Sequence, residues 1–149
     1  MFAEGTEVSA AKSKAEIEKT LKKYKATGFG YAEQNDRAAV TFVMKGRQIR
    51  FVFDLPVYGK YKKPYRGRSW LADASEKQVE AEVRRIWRCV AWSIKMKLDC
   101  VESGVSSFDN EFMAHIVLPD GKTVSDTITP AISEAYSTGR VPLRIGYTK

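Results

Sequence analysis

Residues 28–53 read GFGYAEQNDRAAVTFVMKGRQIRFVF. Apolar side chains recur there at every second position: Phe29 and Tyr31, then Val40, Phe42 and Met44, then Ile49, Phe51 and Phe53. A period of two is that of a strand with one buried face. Asn35 with Asp36, and Lys45 with Gly46, break the run with turn residues, so the segment predicts an antiparallel meander of three strands. Such a sheet carries an apolar face that a second layer must cover.

The cover is readable downstream. Ser75 and Gln78 have the spacing of a capping box, and no proline or glycine occurs from there until Gly104. Val79, Val83, Ile86, Val90, Ile94, Leu98 and Val101 then recur at spacings of three and four, which predicts one long helix with an apolar stripe. Both cysteines of the chain, Cys89 and Cys100, fall inside it. Helical rise would set them ~16 Å apart, beyond the ~7 Å that a disulfide spans, so two reduced thiols are expected.

The flanks are shorter. Ser13 and Glu16 repeat the capping spacing ahead of Ile17, Leu21 and Tyr24, predicting a helix over 14–25 with Lys19, Lys22, Lys23 and Lys25 on its polar side and Gly28 as its stop. Beyond the long helix, Ser106 is placed to cap a short helix through Phe108 and Phe112 towards Ile116, and Pro119, Asp120 and Gly121 predict a turn. A last helix is expected from Ser125 or Thr129 to Thr138, with Pro130 in its first turn and Gly139 at its end. The fold class is therefore α+β: an N-terminal helix, a three-stranded antiparallel meander packed against one long helix, then short C-terminal helices. At 149 residues and 44% hydrophobic content the chain is expected to form a single domain over 1–149. No stretch nears the ~18 apolar residues of a membrane span, and Met1, Phe2, Ala3 and Glu4 lack the order of a secretory signal. A cytoplasmic setting with no membrane partner is the expectation.

Charge is where function enters. The formal net charge is +7, from 25 Lys and Arg against 18 Asp and Glu, which favours polyanionic partners, nucleic acid first among them. The excess is local. A basic loop is expected at about 57–74, and within it Lys60, Lys62, Lys63, Arg66 and Arg68 stand with no acidic residue between Val57 and Trp70. Tyr58, Tyr61, Tyr65 and Trp70 are interleaved with them. Cations at this density release counterions from a phosphate backbone, and aromatic rings stack on unpaired bases. Against this stands a solvated basic loop whose tyrosines pack back on the domain. On the long helix, Arg84, Arg88, Trp92 and Lys95 share a face that would extend the same groove, unless the arginines pair with Glu80 and other acids and Trp92 is core.

Catalytic readings have little to work with. His115 is the single histidine, and with Glu111 it offers at most two metal ligands, so no metal, cofactor or enzymatic activity is expected. Cys89 lies near Arg84, Arg85 and Arg88 but inside a helix with no base in view. The stretch PDGKT at 119–123 lacks the glycine spacing of a phosphate loop and reads as a tight turn. Only a convergence of Asp54, Asp109, Glu111 and His115 would restore an enzyme.

The stretches KSKAEIEKTLKKYKATGFGY at 12–31, FVMKGRQIRFVFDLP at 42–56 and FDNEFMAHIVLPDGKTVSDTITPAISEAY at 108–136 resemble a group of short, functionally uncharacterised proteins encoded by bacteriophages and prophages. The resemblance implies a phage origin and a bacterial cytoplasm, and transfers no activity. A meander backed by a long helix is also similar in plan to phage single-strand annealing proteins, which form rings, so a homo-oligomer belongs to the expectation. The leading expectation is an accessory protein that binds nucleic acid, DNA first, without sequence readout, in annealing or recombination. The alternative is a protein-interaction module, such as a phage inhibitor of a bacterial defence complex, with a host protein as its partner.

Overall fold

The computed structural model describes residues 1–141. Its elements run α1 (Ala10–Lys23), β1 (Thr27–Gln34), β2 (Arg37–Met44), β3 (Arg47–Asp54), α2 (Glu76–Glu102), α3 (Phe108–Phe112) and α4 (Val124–Thr138), with short 3-10 turns at Ser69–Asp73 and Met113–His115. The arrangement is α+β, as the alternating and helical periods require. The sheet has the order β1-β2-β3, antiparallel throughout.

Register sorts the strand residues onto two faces. Val40 opposes Phe51, Phe42 opposes Ile49, and Ala38 opposes Phe53, and these form the face that α1 and α2 cover. Ile17 and Leu21 of α1 and Trp87, Ala91, Ile94 and Leu98 of α2 meet them in one core, joined by Phe108 and Phe112. The opposite face carries Ala32, Ala39 and Val52 in one row and Gly30, Thr41 and Arg50 in the next. Small side chains there leave Val43 and Val52 exposed to solvent, as a one-sided antiparallel sheet permits.

Four sequence expectations are corrected. Helix α1 begins one turn earlier than predicted: Ser9 is its N-cap, accepting from the Lys12 amide at 3.1 Å, and Ser13 is buried within it. Spacing alone could not separate two serines four positions apart when Ala10 and Ala11 between them favour helix. Gly28 does not stop α1 but lies in β1, where its positive φ of 58° serves an irregularity in the pairing between Thr27 and Gly30. Ser107, not Ser106, caps α3, and Ile116 leaves the helix to bridge Ile49 on the outer edge of β3. Pro130 lies inside α4 rather than in its first turn, because Thr123 caps the helix with Asp126 in a capping box. The capping box of Ser75 and Gln78 on α2 stands as read. So does the turn at 119–121, where Asp120 accepts from the Lys122 amide at 2.9 Å. Cys89 and Cys100 are free, half-buried thiols of α2. None of the described helices is long and apolar enough to cross a membrane.

Candidate nucleic-acid interface

Leu55 and Pro56 are buried and turn the chain off the sheet into the basic segment. That segment is an excursion with its own small core. Tyr65, only 7% exposed, packs with Leu71 and Val79 in a second hydrophobic cluster against which Tyr61 also rests. The two tyrosine rings lie 4.7 Å apart, and the Tyr61 hydroxyl donates to the Leu55 carbonyl at 3.1 Å. Burial pushes the Tyr65 phenol up to about 12. These two rings are therefore structural, and the expectation that they project towards bases is corrected. Tyr58 and Trp70, at 58% and 44% exposure, do face solvent.

The cations divide in the same way. Lys60 pairs with Asp36 at 2.7 Å, and that ammonium holds the Asp36 carboxyl below its ordinary value. Arg66 pairs with Asp54, whose carboxyl it likewise lowers, and Arg37 reaches the other Asp54 oxygen at 3.4 Å. Arg68 reaches the buried Glu82 of α2 at 2.9 Å, where Arg85 already donates at 2.8 Å. Lys62 and Lys63 are exposed, and neither has an ion-pair partner among the described residues. The segment is free of acids in sequence, yet Asp36, Asp54 and Glu82 neutralise three of its five cations from elsewhere in the fold.

On α2, Arg84 donates to the Thr6 carbonyl at 3.3 Å and Arg88 pairs with Glu16 of α1. Neither uses Glu80, and both anchor neighbouring segments rather than standing free. Trp92 is not core: it meets Phe2 edge-on at 5.9 Å between Arg88 and Lys95, whose cations lie 5.8 and 5.3 Å from its ring.

Two residues that sequence reasoning passed over belong to the same surface. Arg37 of β2 and Arg50 of β3 line a cleft of about 340 Å³ beside the uncovered sheet face, together with Arg66, Asp54, Asp126 and His115. The clue lay in the strand alternation, which puts Arg37 and Arg50 on the face opposite Phe42. The His115 ring stacks on Phe51 at 3.8 Å, and burial first, then the Lys97 charge, holds it below the ordinary histidine value, so it is neutral near pH 7. Asp109 and Glu111 do not join the cleft: they face Arg47 and Lys97 at 3.7 Å each. Among the described residues no three of His, Cys, Asp and Glu converge to hold a metal ion. No protein family matches this chain, and no curated protein or solved structure matches it.

Proposed function

We propose that this chain is an accessory protein that binds nucleic acid without sequence readout, gripping phosphates by charge more than bases by stacking. The observation that carries the reading is the tip of the basic segment. Lys62 and Lys63 are exposed there with no counter-ion among the described residues, within a stretch flanked by the exposed rings of Tyr58 and Trp70, on a chain of net charge +7. Ammonium groups with no carboxylate beside them add their full charge to the field a phosphate backbone meets and release its counterions on contact. On the resemblance to phage-encoded proteins, the setting is the cytoplasm of a bacterial host.

The test is fluorescence anisotropy with single- and double-stranded oligonucleotides at two salt concentrations. Binding at about 50 mM salt is expected, and Lys62→Ala with Lys63→Ala should flatten the log–log salt slope by about 1.4 to 1.8, the share of two phosphate contacts. Tyr58→Ala and Trp70→Ala should each cost up to about 1 to 3 kcal/mol on single strands only. An unchanged slope in the double lysine variant would remove the loop from the interface.

A second reading has its own observation. Helix α4 buries none of its residues and leaves Ile132 50% and Tyr136 90% exposed, which favours a protein-interaction module such as an inhibitor of a host complex. Absence of oligonucleotide binding in the same titration moves the conclusion to that reading.

A further inference from the structure

We propose that the cleft in which Arg37, Arg50 and Arg66 converge is a phosphate-binding site. It goes beyond the charged loop tip, because it shares neither Lys62 nor Lys63 and stands whether or not the loop meets nucleic acid.

Three guanidinium groups arrive from three separate parts of the chain: the first residue of β2, the middle of β3 and the basic segment. Strand register brings the first two to one face, since Arg37 opposes Asp54 and Arg50 opposes Thr41. Asp54 then draws Arg66 across to the same place, accepting from Arg37 on one carboxylate oxygen and from Arg66 on the other. One carboxylate thus orients two forks without consuming them. Each guanidinium has about five N–H donors. Among the described residues these three use only Nε of Arg37, Nε and one terminal nitrogen of Arg66, and one terminal nitrogen of Arg50, which donates to the Gly121 carbonyl at 3.0 Å. The Arg37 and Arg66 side chains remain 70% and 65% accessible.

Charge in the cleft leaves a surplus for an anion. Against three guanidiniums stand two carboxylates, Asp54 and Asp126, and Asp126 is engaged at its own helix, accepting from the Thr123 amide at 3.1 Å. The walls fit an organic phosphate. Val52 and Ala114 are small, and the neutral His115 ring, fixed against Phe51, supplies a flat side. About 340 Å³ lies within the range of small-ligand sites and has room for a phosphate with the sugar that carries it. Planar forks that bind anions in pairs are the side chains suited to this chemistry. A free nucleotide and an internal phosphodiester of a nucleic-acid strand present the same group, and the experiment separates them.

The test is isothermal titration of the full chain with inorganic phosphate, with a 5′-adenosine monophosphate, and with a thymidine oligomer of about 20 nucleotides. The monophosphate is expected to bind, and Arg50→Gln, or Arg37→Gln with Arg66→Gln, should weaken it at least about tenfold, one lost charge-assisted contact or more. Lys62→Ala with Lys63→Ala should leave it unchanged. Circular dichroism of each variant checks that the fold is intact. Monophosphate binding without oligomer binding upholds the cleft and overturns the single-strand form of the nucleic-acid reading. Oligomer binding that survives loss of all three arginines, with no heat from phosphate or monophosphate up to about 10 mM, overturns the cleft and leaves the loop standing.

Discussion

Tyr65 illustrates how one residue changes meaning between sequence and fold. Set between Lys63 and Arg66 it reads as a base-stacking ring, yet it lies beneath the segment against Leu71 and Val79. Burial raises its phenol to about 12, above the value near 10 of an unfolded tyrosine. A raised value means that the folded chain resists losing that proton. The contribution to stability is therefore whole below about pH 10 and is lost as pH rises from there through 12. In a tyrosinate absorbance titration the last phenol should ionise near pH 12, and Tyr65→Phe should abolish that step. A final step near pH 10 in the wild type would place the ring in solvent and return it to the candidate interface. Tyr65→Ala is expected to cost about 3 kcal/mol of stability through the cavity it leaves, so any loss of nucleic-acid binding in that variant would be a loss of structure.

Among the elements, α4 is the least supported. Its described neighbours are mainly residues 113–115, and it has no buried residue. Isolated helices of this length are marginal in water, and Pro130 removes the amide that would bond the Asp126 carbonyl. The capping box of Thr123 and Asp126, and Gly139 in a left-handed conformation at its end, are what its own sequence supplies. Helix α2, by contrast, is held by a continuous line from Val79 through Trp87 and Ile94 to Leu98. Amide hydrogen exchange of the free chain should show α4 opening at about 1 to 2 kcal/mol, while the centre of α2 exchanges only with global unfolding. Equal protection in both helices would mean that a second copy covers Ile132 and Tyr136, and would favour the interaction reading.

At the scale of the whole molecule, Glu82 is the junction. It is buried on α2, receives Arg68 from the basic segment and Arg85 from its own helix, and Arg85 also reaches the Phe2 carbonyl of the N-terminal segment at 3.5 Å. Loss of the carboxylate strands two guanidiniums that are themselves mostly buried. Glu82→Ala should cost about 3 kcal/mol and lower the melting temperature by roughly 10 °C, with the segment between β3 and α2 losing its order first. A melting temperature within about 2 °C of the wild type would show that solvent already serves those guanidiniums.

The amino-acid order alone determined the three strands, their turns, the long helix with its cap, and the excess of positive charge, because each is written in residues a few positions apart. Period two, period three to four, and a serine three before a glutamine are local patterns that local physics obeys. Ser9 against Ser13 shows the limit: both satisfy a cap by type, and only the burial of Ser13 in the core decides between them. Tertiary structure alone decided which cations stand beside a carboxylate and which stand alone. Asp36, Asp54 and Glu82 lie from 12 to 24 positions from Lys60, Arg66 and Arg68. Ion pairing acts through space over a few ångströms, so the charge count of a segment does not tell what the fold brings beside it. The three-arginine cleft arises for the same reason: alternation places Arg37 and Arg50 on one face, but only strand register and the shared Asp54 bring Arg66 beside them.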